Sequence, residues 1–291
     1  HQALGIVYSQ TSGNAQALVE GSLAKRLQPG FAAQSGVTAA FLAKAGITGP
    51  QAFLTGKYGF YSLYEQGEYD PVPITLGLGD HCTVLDLSIK PYPACRMTHS
   101  AIDAALELRS SVLKKEKNFQ ETDLERLARI KDIHITASSM VTEMVGKPFF
   151  PGDTPQVDAQ FSIPYTVAAA LTRGKIFLDD FEIQAIQDES VRKLADKVNV
   201  SVNPDLPAKD LFHAGLEIAM DDGETFRTDV SVPLGNPEKP MDISRCREKF
   251  INCIAFSGLD FSDDRQTRLL DMLEHLENLD NIRELMELMT L

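Results

Sequence analysis

The sequence predicts α and α+β architecture: an all-helical domain built from both chain ends, with an inserted two-layer α+β domain between them. Three observations carry this expectation. Residues 1–60, and the chain from Asp242 onward, place apolar side chains at helical spacing. The middle interleaves short alternating runs with helical ones. One of the alternating pairs is a hairpin, which argues against a doubly wound parallel sheet. The expected boundaries are 1–83 with 235–291 for the helical domain, and 84–234 for the insert.

"ALGIVYSQ" is apolar with small residues, which suits close helix packing. "GFAAQSGVTAAFLAKAG" is a second helix with Gly46 as its C-cap, and "GPQAFLTG" a short one with proline in its first turn. The aromatic stretch "GKYGFYSLYEQGEYDPVPIT" reads as an ordered loop. "CTVLDLSIK", "IKDIHITAS" and "VNVSVN" read as strands. "AGLEIAMDDGETFRTDVSV" is a hairpin around Asp-Asp-Gly. "HSAIDAALELRSSVL", "AQFSIPYTVAAALTRG" and "DESVRKLADKV" are helices, the second ending at Gly174 with Pro164 near its start. The C-terminal part holds "SRCREKFINCIAF" and a leucine-rich run from Leu269 to Met289, whose spacing describes a packed face rather than a cofactor site.

The first residues read as the middle of a buried helix rather than a secretory signal, so the chain is expected to be a fragment. No apolar run reaches the ~20 residues of a membrane span. Four cysteines, Cys82, Cys95, Cys246 and Cys253, contain no C-x-x-C pair and point to a reducing, cytoplasmic setting. A net charge of -13 argues against nucleic acid and anionic membrane as partners. Charge is nevertheless uneven. No acid lies between Gly21 and Tyr64, where Lys25, Arg26, Lys44 and Lys57 fall, nor between Leu87 and Ile102, where Lys90, Arg96 and His99 fall. The alternatives are a local anion pocket and buried helices that exclude acids for their own reasons.

Most catalytic signatures are absent. No G-x-G-x-x-G follows a strand, and "GPQAFLTGKY" has a P-loop's glycines one residue too far apart, with Tyr58 where Ser or Thr is required. There is no G-x-S-x-G elbow. The histidines at 1, 81, 99, 134, 213 and 275 form no H-x-H or H-E-x-x-H pair, so no metal ligands can be assigned. What stands out is "SIKPYPACRMTH", residues 88–99. Pro91 and Pro93 stiffen the backbone between Lys90 and the group Cys95, Arg96 and His99. Cys95 and His99, four apart, share one face if a helix has begun there. Such a set suits chemistry on a polycarboxylate: ammonium groups neutralise carboxylates, and His, Cys or Tyr moves a proton beside one. The bland alternative is a solvated Lys90, a small core Cys95 and a satisfied buried His99.

"SIKPYPACRMTHSAIDAALEL" resembles the signature of the MmgE/PrpD family, which includes 2-methylcitrate dehydratase, cis-aconitate decarboxylase and iminodisuccinate epimerase. "ALGIVYSQTSGNAQALVEGSLAKRLQPGFAAQSGVTAAFLAKAGITGP", "AQFSIPYTVAAALTRGKIFLDDF" and the "REKF" helix agree in order and spacing. The resemblance covers nearly the whole chain. It implies a homodimer, no obligatory cofactor or metal, and a lyase or isomerase step on a small di- or tricarboxylate. Dehydration of the 2-methylcitrate type is the leading expectation, with isomerisation and decarboxylation beside it.

Position by position, the resemblance implies substrate-binding roles for Lys25, Arg26 and Lys90 and catalytic roles for Lys90, Cys95, His99 and Tyr165. Arg26 would alternatively position its neighbour or pair with an acid. Cys95 stands where some relatives have histidine, and a thiol is a weak acid at neutral pH unless its pKa is shifted. His99 would orient Lys90 or Cys95. Tyr165 would donate a hydrogen bond or a proton, or simply pack between helices. The family's further acid and base residues, including a histidine in a "G-F-H" segment, lie upstream of the stretch matched by residue 1. A truncated, non-catalytic member, acting as a carboxylate-binding or dimerisation module, is therefore the competing expectation.

Overall fold

Helix starts in this protein are set by short polar side chains that take up the first free main-chain N–H groups. Ser162 accepts from the Tyr165 N–H at 3.1 Å, and Asp242 from the Arg245 N–H at 2.8 Å. The computed structural model describes residues 1–20, 22–114 and 122–290. The chain divides into two units, residues 1–85 and 86–291.

In the first unit, helix α1 (Gln2–Tyr8) packs on α2 (Ala24–Lys44). Small residues permit a close approach, as expected. A Cβ on Gly5 would stand 2.4 Å from the Pro50 carbonyl oxygen, and one on Gly49 would stand 2.5 Å from that of Gln2. Helix α2 begins before the predicted "GFAAQ" start and carries Pro29 inside it, so Lys25 and Arg26 sit in its first turn. Leu23, Leu27, Phe31, Val37 and Phe41 are all exposed along it. The short helix expected in "GPQAFLTG" is absent; residues 51–55 form turns, with Gly56 N–H bonded back to the Ala52 carbonyl at 2.8 Å. The aromatic stretch is ordered by ring contacts, with Tyr61 and Tyr69 stacked at 3.9 Å, around the short helices Phe60–Tyr64 and Val72–Thr75.

"CTVLDLSIK" is not a strand. Thr83–Asp86 is a single 3-10 turn, and Val84, Leu85, Leu87 and Ile89 are all more than half exposed. Leu85, Leu87 and Ile89 alternate but stay exposed, whereas a half-buried strand needs a core for its apolar face.

The second unit is built on a four-stranded sheet in the order β2-β1-β3-β4. Strand β1 (Ile130–Ala137) runs parallel to β2 (Val198–Val202) and antiparallel to β3 (Ala214–Met220). Strand β4 (Thr225–Val230) closes the expected hairpin on β3, with Gly223 at φ 89 in the turn. Period-2 burial holds in the centre. Ile133, Ile135 and Ala137 of β1 face inward, as do Ala214, Leu216, Ile218 and Met220 of β3. Helices α3 (His99–Lys114) and α4 (Ile163–Arg173) pack on this sheet and on each other, making two layers. Every residue of α4 from Ile163 to Leu171 is buried, and Gly174 ends it in the left-handed conformation. Helix α5 (Glu189–Ala195) packs on α4. The C-terminal part holds α6 (Ile243–Ser257), α7 (Asp263–Glu274) and α8 (Ile282–Met289), the last two divided by a 3-10 turn over Leu276–Asn278. Of the leucine-rich run, Leu269 and Leu285 are buried, whereas Leu273, Leu276 and Ile282 remain exposed. Among the described residues, no helix is long and apolar enough to cross a membrane.

Candidate functional site

The Pro91–Pro93 corner delivers its side chains onto the start of α3. After it, Arg96–Thr98 form one 3-10 turn, and the α-helix proper begins at His99. Cys95 therefore precedes the helix. The one-face argument for Cys95 and His99 does not apply, and Cys95 packs, half-buried, against the core. Its N–H donates to the Gln160 carbonyl at 2.8 Å, and its own carbonyl accepts from the Thr98 hydroxyl at 2.9 Å.

The segment carrying Lys90 is pinned from several sides. Ile89 N–H donates to the Gly235 carbonyl at 2.8 Å. Gly235 lies at φ 81, and a Cβ there would stand 1.9 Å from the Ile89 carbonyl oxygen, so only glycine fits. From α6, the Lys249 ammonium donates to the Lys90 carbonyl at 2.6 Å. The Lys90 ammonium itself reaches the Ala94 carbonyl at 3.0 Å.

His99 meets Lys90 on that same oxygen. Its ring is fully buried, with Nε2 3.4 Å from the Ala94 carbonyl and Nδ1 3.0 Å from Arg96 Nη1. A guanidinium only donates, so Nδ1 accepts and Nε2 carries the proton. Burial, reinforced by the charges of Arg96, Lys90 and Lys249, pushes the imidazole down to about 3. His99 is a neutral imidazole at physiological pH. Arg96 Nη1 also donates to the Leu234 carbonyl at 2.8 Å, and the guanidinium lies 5.8 Å from the Phe212 ring centre. Its Nε and Nη2 are buried with no hydrogen-bond partner among the described residues. Such orphaned donors cost on the order of 1–3 kcal/mol each.

Beside this corner lies a cavity of about 610 Å³, lined among others by Tyr92, Asp103, Phe177, Lys239, Arg245 and Lys249. Tyr92 donates to Asp103 Oδ1 at 2.7 Å, and the Leu234 N–H donates to Oδ2 at 2.7 Å. Burial and the Asp103 carboxylate both raise the Tyr92 phenol well above its ordinary pKa. Tyr92 is thus a fixed donor that keeps its proton, with its ring packed edge-on to His99 at 5.2 Å.

The structure brings Lys90, Arg96 and His99 together and leaves other expected residues elsewhere. Tyr165 is fully buried in α4, and its hydroxyl donates to the Asp180 carbonyl. Its ring is packed by Phe149 at 4.9 Å, and burial pushes the phenol up to about 12. Like Lys90, Cys95, Arg96 and His99, it is not among the residues that line the cavity. Lys25 and Arg26 lie in the first unit, half-buried and exposed respectively. Among the described residues, no group of three or more His, Cys, Asp or Glu side chains could hold a metal ion. Sequence reasoning overlooked Tyr92, Asp103 and Lys249. The available signal was Asp103, an acid among the apolar residues of "SAIDAAL" one helical turn after His99.

Comparison with known proteins shows the family. Residues 1–71 match the MmgE/PrpD N-terminal domain and residues 92–277 the MmgE/PrpD C-terminal domain. A cis-aconitate decarboxylase-like protein of Aspergillus oryzae is 29% identical over 85% of this chain and 51% of its own length. The cis-aconitate decarboxylase of Mus musculus is 30% identical over 78% of this chain and 44% of its own, and that of Aspergillus terreus 28% over 85% and 51%. The chain spans about half the length of these curated relatives. On both domain matches together, the chain belongs to the MmgE/PrpD family.

Proposed function

We propose that this chain carries part of a lyase that acts on a small di- or tricarboxylate without a cofactor. The observation that supports it is the meeting of the Lys90 ammonium and the neutral His99 N–H on one carbonyl, among Arg96 and Lys249. Loss of CO2, or of a proton, beside a carboxylate leaves an electron pair on carbon that delocalises into an enolate-like anion. A fixed ammonium stabilises that charge most strongly where water is excluded. In decarboxylation the C–C bond breaks, CO2 leaves and a proton returns to the carbon. In dehydration the proton leaves first and hydroxide departs as water. The names of the matched relatives favour decarboxylation over the dehydration expected from the sequence. Lys25 is the second ammonium that the family resemblance implies, and a homodimer is part of the same reading.

The test is a panel of acids that includes cis-aconitate and 2-methylcitrate, followed by melting temperature, CO2 release and product chromatography. Ligand binding to the native state raises the melting temperature. CO2 from cis-aconitate supports a decarboxylase, and an unsaturated product from 2-methylcitrate supports a dehydratase. Binding without turnover supports a carboxylate-binding module. Neither binding nor turnover with any acid overturns the proposal.

A further inference from the structure

We propose that Arg96 is a positioning residue that holds His99 in its neutral Nε2–H form and so sets the place of the Lys90 ammonium. The inference rests on the proposed role of Lys90, but its first test does not require turnover.

Geometry carries the argument. Arg96 Nη1 bridges two points far apart in sequence, the His99 ring at 3.0 Å and the Leu234 carbonyl at 2.8 Å. A donor at Nδ1 forces the imidazole proton onto Nε2. That N–H and the Lys90 ammonium then share the Ala94 carbonyl, at 3.4 and 3.0 Å. The oxygen is thus held by two donors, and one of them takes its direction from Arg96. The other groups acting on the ring are Tyr92, packed edge-on, and the Lys90 and Lys249 charges, all of which oppose protonation or are neutral.

The rest of the Arg96 side chain adds little to stability. Nε and Nη2 are buried without partners among the described residues, and burial lowers the guanidinium's pKa. Two buried donors without partners are a cost that calls for an explanation, and a positioning role for Nη1 supplies one. The roles that the family resemblance implies fall on Lys25, Arg26, Lys90, Cys95, His99 and Tyr165, and none is given to Arg96.

The experiment is two-bond 1H–15N NMR on histidine-labelled protein, with the His99 signal assigned by its loss in His99→Gln. The wild type is expected to show His99 as an Nε2–H neutral ring that stays neutral well below the ordinary histidine pKa of about 6.5. In Arg96→Met the ring is expected to mix tautomers and to protonate at higher pH, with the melting temperature unchanged or raised because two buried orphan donors are gone. Arg96→Lys, which can reach one acceptor but not both, is expected to restore the wild-type tautomer in part. A wild-type Nδ1–H ring, or a His99 signal indifferent to either variant, overturns the proposal. If Arg96→Met does not fold, the wild-type spectrum and Arg96→Lys decide it. Where a substrate is found, kcat in Arg96→Met should fall about tenfold or more with KM little changed. The expected NMR result with no turnover by the wild type sinks the lyase reading and leaves the positioning role standing.

Discussion

Acidification should reach the second unit through His99, and the size of the effect can be worked from its surroundings. The imidazole titrates near 6.5 when unfolded and is pushed down to about 3 by burial and the adjacent cations. The folded pKa is the lower one. The unfolded chain therefore binds more protons between those values, and the stability contributed by a neutral His99 is full above about 6.5 and drains away as pH falls towards 3. Each pKa unit is ~1.36 kcal/mol, so the whole window corresponds to about 5 kcal/mol and the loss by about pH 5 to roughly 2 kcal/mol. His99→Gln keeps an acceptor for Arg96 and a donor for Ala94 but cannot titrate. Urea unfolding of both proteins at about pH 7.5 and 5, followed by circular dichroism, isolates the term because every other titrating group is common to both. The wild type should lose roughly 2 kcal/mol more than the variant between the two conditions. Equal losses would show that His99 is not held neutral, and the electrostatic account of the site would fail with it.

Lys90→Met should lower turnover about 100- to 1,000-fold, the usual result of removing one charge-stabilising donor, with melting temperature nearly unchanged. A variant that merely unfolds would make Lys90 structural. Tyr165→Phe removes a hydroxyl held by the Asp180 carbonyl and should cost about 1–2 kcal/mol in urea unfolding; a large fall in turnover without that cost would return Tyr165 to the reacting centre. Asp180→Ala removes the almost fully buried carboxylate that Arg173 meets at 2.6 Å, leaving it Asp188 at 3.5 Å and the Ala185 carbonyl, and should cost about 1–3 kcal/mol. Gly235→Ala, which forces a Cβ into the Ile89 carbonyl, should destabilise by more than about 1 kcal/mol and disturb Lys90 activity together with it.

Much of this protein is written in local pattern. Strands β1, β2, β3 and β4 were legible because alternation and the Asp-Asp-Gly turn act over a few residues. Helix α4 was legible because its apolar run and Gly174 are contiguous. Family membership was legible because its motifs are short and ordered. The failures have the converse cause. Thr83–Asp86 alternates without a core to face, and the helix expected in "GPQAFLTG" resolves into turns whose Ala52, Phe53 and Leu54 carbonyls accept from Gly56, Phe60 and Tyr61. Neither outcome is visible in a window of ten residues.

The site divides the same way. Residue types at 90, 95, 96 and 99 raised the expectation of chemistry on carboxylates, since charge and acid–base character belong to the side chain itself. Their arrangement did not follow from spacing. Arg96 finds its second acceptor at Leu234, Lys90 is braced by Lys249, and Tyr165 turns its hydroxyl to Asp180. Those partners come from distant parts of the chain, and they are chosen by which way each side chain points once the layers pack, because a buried polar group must take whatever acceptor the packing leaves within about 3 Å.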